Sequence, residues 1–305
     1  MQVRAFEDED AEAVAALSAA CARGESDFVL SPLWESAGEL FAEMARHGIA
    51  PQDHLLVAEP EGAAPGEVCG VVGFVRSPGA ALAGLYAPIV ERSQRGRGLG
   101  GELLRAALAH GGERLGIRLV TAGIGTRNHA GYALLAGFGF RPARQHFLMR
   151  LDAAGRPGGA APPAPPPGLA FGPAGPEDAE AVLEVYAACG LPARSPEEMA
   201  NAIANPLRAI SVAREAAGGG RIVAFAELET HWPARVWVSF VGVAAAQRDR
   251  GVGTALLGHA LADRFAAGAR SALLLLSPAN RTALRAYEKA GFRRHRLVDV
   301  LEKAL

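Results

Sequence analysis

Apolar residues in the second half of the chain follow two periods, one typical of strands and the other of helices. Short alternating or continuous apolar runs predict four strands: AISVARE, IVAFAELETH, VWVSFVGV and SALLLLS. The glycine-rich AAGGGR between the first two runs is a hairpin signal. Between the last two runs, Val252, Leu256 and Ala260 recur at helical spacing and predict an amphipathic helix.

The first half of the chain contains a matching series of patterns. Its strand runs are HLLVAE, CGVVGFV, LYAPIV and IRLVTAGI, and a helix passes through Leu103, Leu104 and Leu108. Each half therefore runs in the order helix, strands, loop, helix, strand, helix, strand. The first half is longer by about fifteen residues before its loop. This insertion lies within residues 24–65, and we expect it to reshape whatever that half binds.

Three sequence landmarks recur in the same order in both halves. DAEAV occurs at 10–14 and at 178–182. The pattern RxRGxG begins at Arg95 and again at Arg248, an offset of 153, and an Asn followed eleven residues later by Gly-Phe recurs at an offset of 152. Chance does not explain this order and spacing, so the chain is predicted to be a duplication of one fold.

A segment of low complexity separates the two halves. Residues 153–168, AAGRPGGAAPPAPPPG, contain six prolines and no large apolar side chain. Such a stretch forms no packed element and is typical of a semi-extended spacer. We predict an N-terminal domain over 1–152, the spacer over 153–168, and a C-terminal domain over 169–305.

Composition narrows the class of protein. The 305 residues carry a net charge of −1, which gives no basic field for nucleic acid. The three cysteines, Cys21, Cys69 and Cys189, have no metal-ligand spacing and indicate reduced thiols, and no metal site is predicted. Acids near the first residue argue against a signal peptide, and no apolar run reaches the length of a membrane span. We expect a cytoplasmic protein with no membrane partner.

The loop QRGRGLGGELL, repeated as QRDRGVGTALL, has three possible ligands. A P-loop would need a lysine that neither copy has. A dinucleotide loop would need a third glycine, but Gly101 becomes Thr254 in the second copy, and the next strand ends without an acid. The remaining interpretation is a glycine-lined helix start, where free N–H groups and the helix dipole favour an anion such as a pyrophosphate.

Together with a pattern downstream, this loop resembles the GNAT superfamily of acyl-CoA-dependent N-acetyltransferases. The downstream pattern is complete in the second half, as Asn280, Ala283, Tyr287, Gly291 and Phe292. The resemblance covers nearly the whole chain in two tandem copies. It implies a mixed α/β fold, in which helices flank a mostly antiparallel sheet, and acetyl-CoA as the co-substrate.

The resemblance also implies the cofactor-binding residues of the second copy. The pyrophosphate would lie on the loop amides, and the pantetheine arm would run along backbone groups near Val241 and Val243. The loop residues are Arg248, Asp249, Arg250, Gly251, Val252, Gly253 and Thr254. Asn280 would help to fix the cofactor, and Tyr287 would protonate the leaving thiolate. A phenol with a pKa near 10 is protonated at neutral pH, which suits that acid role.

The first copy keeps the loop and lacks the tyrosine. The corresponding cofactor residues are Val90, Arg95, Gly96, Arg97, Gly98, Gly100 and Asn128. The tyrosine position falls on Leu135 or on Ala133, depending on which Gly-Phe pair sets the register, and Tyr132 lies nearby. This half could bind acetyl-CoA structurally, bind nothing, or shape the acceptor site of its partner half.

A base is needed as well, because an amine acceptor arrives mostly protonated at neutral pH. Glu227, Glu229 and His231 alternate along one predicted strand and share a face, so they could remove a proton through water. The same alternation is typical of a solvated strand face. Ser239 is similarly ambiguous.

These observations favour transfer of an acetyl group from acetyl-CoA to a primary amine by direct attack in a ternary complex. The acceptor would be a small-molecule or peptide amine. Two alternatives remain: a specialised tandem enzyme similar to mycothiol synthase, and a non-catalytic acyl-CoA-binding or regulatory protein. The sequence does not distinguish a monomer from a homodimer.

Overall fold

The computed structural model describes residues 1–62, 66–155, 163–217, 220–232 and 234–305. These residues form two compact units. Unit 1 contains Met1–His146 together with Arg296–Leu305, and unit 2 contains Phe147–His295. Part of the predicted spacer, residues 156–162, lies outside the described residues.

In the described part of unit 1, one strand and three helices precede three consecutive strands, and a helix, a strand and a helix follow. Its strands are β1 (Gln2–Ala5), β2 (Leu55–Glu59), β3 (Gly70–Val75), β4 (Leu82–Val90) and β5 (Leu119–Gly125). Its helices are α1 (Ala11–Cys21), α2 (Ala37–His47), α3 (Pro51–His54), α4 (Leu99–Glu113) and α5 (His129–Gly137). The strand β6 (Arg141–Asp152) then leads into unit 2.

Unit 2 repeats this series of elements. Its strands are β7 (Leu169–Pro173), β8 (Arg208–Glu215), β9 (Ile222–Trp232), β10 (Arg235–Val243) and β11 (Ser271–Leu276). Its helices are α6 (Ala179–Ala188), α7 (Pro196–Ala204), α8 (Val252–Ala266) and α9 (Arg281–Lys289). The last strand, β12 (Arg293–Ala304), begins in unit 2 and continues into unit 1.

Each unit has a mostly antiparallel sheet with one parallel pair. The strand order is β1-β2-β3-β4-β5-β12 in unit 1 and β6-β11-β10-β9-β8-β7 in unit 2. The parallel pairs are β4 with β5 and β10 with β11. Their pairing is short: β10 pairs with β11 only from Arg235 to Trp237, and β4 with β5 only from Leu82 to Gly84. The rest of each pair is splayed, which leaves a gap between two strands.

Each half of the chain contributes its last strand to the other unit. In unit 2, Phe147–Asp152 of β6 pairs antiparallel with β11. In unit 1, Val298–Ala304 of β12 pairs antiparallel with β5. The predicted domains 1–152 and 169–305 assign each last strand to its own half, whereas the compact units exchange them. Sequence periodicity identifies a strand but not the edge on which it pairs.

Alternating side chains of each sheet form two apolar layers. In unit 2, Ala224, Ala226 and Leu228 of β9 face one way and pack with α8 through Leu256 and Leu257. On the opposite face, Phe225 packs with α6 and α7. The apolar face of each helix therefore packs against one of the two sheet faces, which alternate strand residues form. No helix in the described part of the chain is long and apolar enough to cross a membrane.

Candidate active site

A helix start without a side-chain cap follows β10 in unit 2. Gly251 is the N-cap of α8 and adopts φ +77°, which a side chain would strain. The first-turn N–H groups of Val252, Gly253 and Thr254 have no intrahelical acceptor. The α8 dipole adds partial positive charge at the same place, so this helix start favours an anion.

The first arginine of each loop acts as a structural tie. The Nε of Arg248 donates to the carbonyl of Val243 at 3.0 Å, and its Nη2 donates to the carbonyl of Ala188 at 3.1 Å. Arg95 makes the equivalent bonds in unit 1, to Val90 at 3.0 Å and Cys21 at 3.0 Å. In each unit the arginine therefore fastens the loop to the preceding strand and to the end of the first long helix.

The second arginine of each loop is exposed and bonds to a neighbouring glutamine. Arg250 Nη1 donates to Gln247 Oε1 at 2.8 Å, and Arg97 Nη1 donates to Gln94 Oε1 at 3.3 Å. Asp249, between the two arginines of the second loop, adopts a positive φ of 60°, in the left-handed region. Both bonds join residues three positions apart within the same loop.

The splayed end of β10, the helix start and α9 enclose a cleft of about 650 Å³ in unit 2. Most of the predicted cofactor residues of the second copy line this cleft: Val241, Val243, Arg248, Asp249, Gly251, Val252, Gly253, Thr254, Asn280 and Tyr287. Arg250 is the one predicted residue that is not part of the lining. The structure therefore brings together residues that lie up to 46 positions apart, from Val241 to Tyr287.

Two cations of α9 were not among the predicted site residues. Arg285 and Lys289 are exposed and line the cleft, together with Thr282 of the same helix. They are four residues apart and therefore lie on one face of the helix. Their spacing was readable from the sequence, but only the structure shows that this face borders the cleft and adds positive charge to it.

Tyr287 projects from α9 into the cleft. Its ring packs edge-on against Phe292, with centroids 5.6 Å apart, and the side chain is largely buried. Burial raises the pKa of the Tyr287 phenol to about 12. Asn280 begins the same helix, and its Oδ1 accepts the N–H of Ala283 at 3.1 Å. The Asn280 cap thus fixes the start of the helix that carries Tyr287.

The predicted bases lie outside the cleft lining. Glu227 is fully buried, with a relative exposure of 0%. Its carboxylate accepts a hydrogen bond from Arg194 Nη1 at 2.9 Å and another from Arg208. Glu229 accepts a bond from Ser239 Oγ at 3.0 Å. The side chain of His231 lies outside the described residues.

Unit 1 has a smaller cleft at the equivalent place, of about 300 Å³. Its lining includes the predicted residues Val90, Arg95, Gly96, Gly98, Gly100 and Asn128, but not Arg97. Asn128 is buried and caps α5 through the N–H of Gly131 at 2.9 Å. Gly98 is the N-cap of α4 with φ +88°, in the same role as Gly251.

The residues that begin and end α5 show how the first copy aligns with the second. Gly139 follows α5 with φ +86°, as Gly291 follows α9 with φ +93°. Leu135 therefore stands at the position of Tyr287, and it is almost fully buried. Tyr132 packs against the apolar core of unit 1 and is not among the described residues that line the cleft.

A domain of this class, with a splayed parallel strand pair and a glycine-lined helix start, is found in known acetyltransferases. The model of the acetyltransferase (GNAT) family matches residues 23–140 and 179–292, more than half of the chain. The chain therefore belongs to the GNAT acetyltransferase family and contains two copies of its domain. The resemblance seen in the sequence and the predicted α/β fold class are both confirmed.

Solved structures share the fold over the full length of the chain. A GCN5-related N-acetyltransferase from Sphaerobacter thermophilus has a TM-score of 0.76 at 22% identity, covering 99% of this chain and 95% of that one. A tandem GNAT protein from the clavulanic acid biosynthesis pathway has a TM-score of 0.73 at 18% identity, covering 99% and 98%. No curated protein matches the sequence. At these identities the likeness establishes the tandem fold alone.

Proposed function

We propose that unit 2 transfers an acetyl group from acetyl-CoA to a primary amine, by direct attack in a ternary complex. One observation carries this proposal: a single cleft joins an anion-binding helix start, an unpaired strand edge and a buried, protonated phenol. The acceptor is proposed to be a small-molecule or peptide amine. The proposal agrees with the family of the chain, whose members use acyl-CoA donors.

The residues present suit the phosphate groups of coenzyme A. The N–H groups at the start of α8 can donate to the pyrophosphate, and Arg285 and Lys289 supply positive charge on the facing helix. Gly253 lets the start of α8 lie close to β10, because a Cβ on Gly253 would be only 3.0 Å from Val243 Cγ2. Arg248 contributes by holding the loop in this conformation.

The unpaired part of β10 suits the pantetheine arm. Beyond Trp237 this strand has no parallel partner among the described residues, so the backbone groups of Val241 and the N–H of Val243 can bond an extended amide-containing ligand, while the Val243 carbonyl accepts from Arg248. Both residues belong to the cleft lining. A pantetheine arm bonded to these residues would run from the anion site at the start of α8 into the gap between the splayed strands, beside α9.

Tyr287 is proposed as the general acid. With a pKa of about 12 the phenol stays protonated throughout the neutral range, so it can donate its proton to the departing sulfur. The amine nitrogen forms a bond to the thioester carbonyl carbon, the carbon–sulfur bond breaks, and the sulfur leaves with the proton of Tyr287. When bound, the co-substrate supplies the activated acetyl group.

Glu229 is the better of the two proposed bases. The Glu227 carboxylate is fully buried, and each of its two oxygens is paired with a guanidinium group, of Arg194 or of Arg208. Glu229 is less buried than Glu227, and its carboxylate accepts a hydrogen bond from the Ser239 hydroxyl. Because neither residue lines the cleft, proton removal from the amine is proposed to pass through water.

The test is release of free coenzyme A from acetyl-CoA across a panel of small and peptide amines, with acetyl-CoA affinity measured in parallel. A matched pair of variants assigns the site. Thr254→Glu places a carboxylate in the first turn of α8, where acids suit the helix but repel a pyrophosphate, and should weaken affinity roughly 10²-fold. Gly101→Glu makes the same change in α4, where the new Cβ meets only the Phe138 ring at an ordinary contact distance of 3.9 Å, and should leave turnover intact.

The outcomes separate the alternatives. Amine-dependent release that Thr254→Glu removes supports the proposal. Tight binding of acetyl-CoA without turnover on any amine favours a non-catalytic acyl-CoA-binding protein. Loss of activity in Gly101→Glu alone would move the chemistry to unit 1.

A further inference from the structure

A short segment of unit 1 lies in the gap between its two splayed strands. We call Phe28–Ser31 the strap. The N–H of Leu30 donates to the carbonyl of Gly123 at 2.9 Å, and the N–H of Gly125 donates to the carbonyl of Phe28 at 3.0 Å. On the other side, the N–H of Ala87 in β4 donates to the carbonyl of Ser31 at 3.1 Å. The strap thus bonds to both β4 and β5, as an inserted strand would.

The strand beside the strap is built to admit it. A Cβ on Gly123 would lie 2.6 Å from the Cβ of Leu30, and one on Gly125 would lie 3.2 Å from the Cβ of Phe28. Real Cβ atoms do not approach so closely as the first distance. In unit 2 the equivalent positions are Leu275 and Ser277, whose side chains would exclude such a segment. The two glycines therefore belong with the strap.

The insertion predicted from the sequence supplies the strap. The connection between α1 and α2 runs from 22 to 36, whereas the matching connection between α6 and α7 runs from 189 to 195. Phe28 and Val29 of the longer connection are buried, each at 4% exposure. Its Asp27 accepts a bond from Arg95 Nη1 at 3.1 Å, so the charge of the loop arginine is neutralised.

The strand β4 has also lost a donor. β4 and β10 are both nine residues long, and Pro88 stands where β10 has Val241. Proline has no backbone N–H, and the N–H of the preceding Ala87 is already bonded to the strap. The donor that Val241 of β10 can offer a bound arm is therefore absent from β4, and the strap occupies the N–H next to it.

We propose that the strap is the resident occupant of the strand gap in unit 1 and excludes acyl-CoA from it, so that the chain binds one acyl-CoA, in unit 2. The proposal rests on the function proposed for unit 2. It accounts for the difference between clefts of about 300 and 650 Å³ on nearly the same scaffold. Unit 1 is thus a closed copy, meaning one whose strand gap is filled, and its loop serves to join β4, α1 and α4.

Hydrogen exchange on the full chain, with and without coenzyme A, tests the proposal. Without ligand, the amides of Leu30 and Gly125 should exchange slowly, because the strap bonds them. Saturating coenzyme A should protect the first turn of α8 and leave Leu30 unchanged, and calorimetry should give one site per chain. Rapid exchange of Leu30 in the free chain, its deprotection by coenzyme A, or two sites per chain would each overturn the proposal.

A matched pair of variants tests the fit of the strap directly. Gly123→Leu copies the residue of unit 2 and should speed exchange at Leu30 at least about tenfold, because the new side chain meets the strap. Gly137→Leu makes the same change at an exposed position of α5 with no atom within 4 Å, and should leave Leu30 as it was. Unchanged exchange in Gly123→Leu would refute the close packing.

This design separates the proposal from the function on which it rests. If coenzyme A protects neither unit while Leu30 stays protected, unit 1 is closed as proposed and the assignment of acyl-CoA to unit 2 fails. If α8 is protected and Leu30 is deprotected, unit 2 binds as proposed and the strap is not an exclusive occupant.

Discussion

The two units share a loop that looks equally functional in both, yet their clefts differ. Arg95 and Arg248 make the same bonds to a strand carbonyl and a helix carbonyl, and Gly98 and Gly251 both precede the next helix with a positive φ. These features shape the turn between a strand and a helix. They persist in a unit whose gap is filled, so the loop pattern alone does not identify a binding site.

What distinguishes the units is found beside the loop. Leu135 replaces Tyr287, Pro88 replaces Val241, and the strap lies on two glycines where unit 2 has Leu275 and Ser277. In unit 1 these changes remove, in the same order, the proposed proton donor, a backbone N–H donor and the space that a ligand would need. In the function proposed for unit 2, the gap and the last helix therefore matter more than the turn that both units share.

The largest effect should come from the tyrosine that only unit 2 has at this position. Tyr287→Phe removes the proposed proton donor and keeps the ring against Phe292, so kcat should fall about 10²- to 10⁴-fold while acetyl-CoA affinity stays within about twofold. Steady-state kinetics and calorimetry measure the two quantities. Tyr132→Phe is the control in unit 1 and should leave kcat unchanged. Full turnover in Tyr287→Phe would remove the phenol from the mechanism.

Much of this site could be predicted because its determinants are local. Helix α8 begins at Val252 and Asn280 caps α9, as periodicity and capping rules indicate. Gly291 ends α9 in the left-handed conformation, as its position predicts. The helix α7 was not predicted, although the capping box of Ser195 and Glu198 and the proline at the first helical position, Pro196, mark its start.

The remainder depends on contacts between distant parts of the chain. Glu227 alternates with Glu229 as a solvated strand face would, but Arg194 and Arg208 arrive from a loop and a neighbouring strand to bury it. The exchange of β6 and β12 could not be predicted from the sequence either, because the alternation of apolar residues identifies a strand but not its partner. The sequence indicates the strap only as an insertion within residues 24–65, without its place in the fold.

The exchanged strands supply the next test, which is how far each unit depends on the other half of the chain. Leu301 of β12 is fully buried in the core of unit 1. Leu301→Ala should lower the unfolding free energy of unit 1 by about 2–5 kcal/mol. Hydrogen exchange in β5 should report this loss, while β10 in unit 2 stays protected. Leu151→Ala, in the core of unit 2, should give the converse pattern.

The result would also refine the comparison. If Leu301→Ala loosens both units equally, they unfold as one cooperative block, and the closed copy contributes to the stability of the open one. If only β5 loosens, unit 1 can open without disturbing the cleft in unit 2.

The smallest expected effect separates the units by pH. Burial raises the pKa of Tyr287 from 10.0 to about 12, so the folded state holds this proton more tightly than the unfolded state does. That contribution is present below pH 10 and is lost as the pH rises to about 12, at most about 2–3 kcal/mol. Urea unfolding of unit 2 at pH 9 and 11.5 should show a steeper loss in the native chain than in Tyr287→Phe. Leu135 occupies this place in unit 1 and has no ionisable group, so this contribution comes from unit 2. An equally steep loss in Tyr287→Phe would mean that the phenol is not buried as the fold requires.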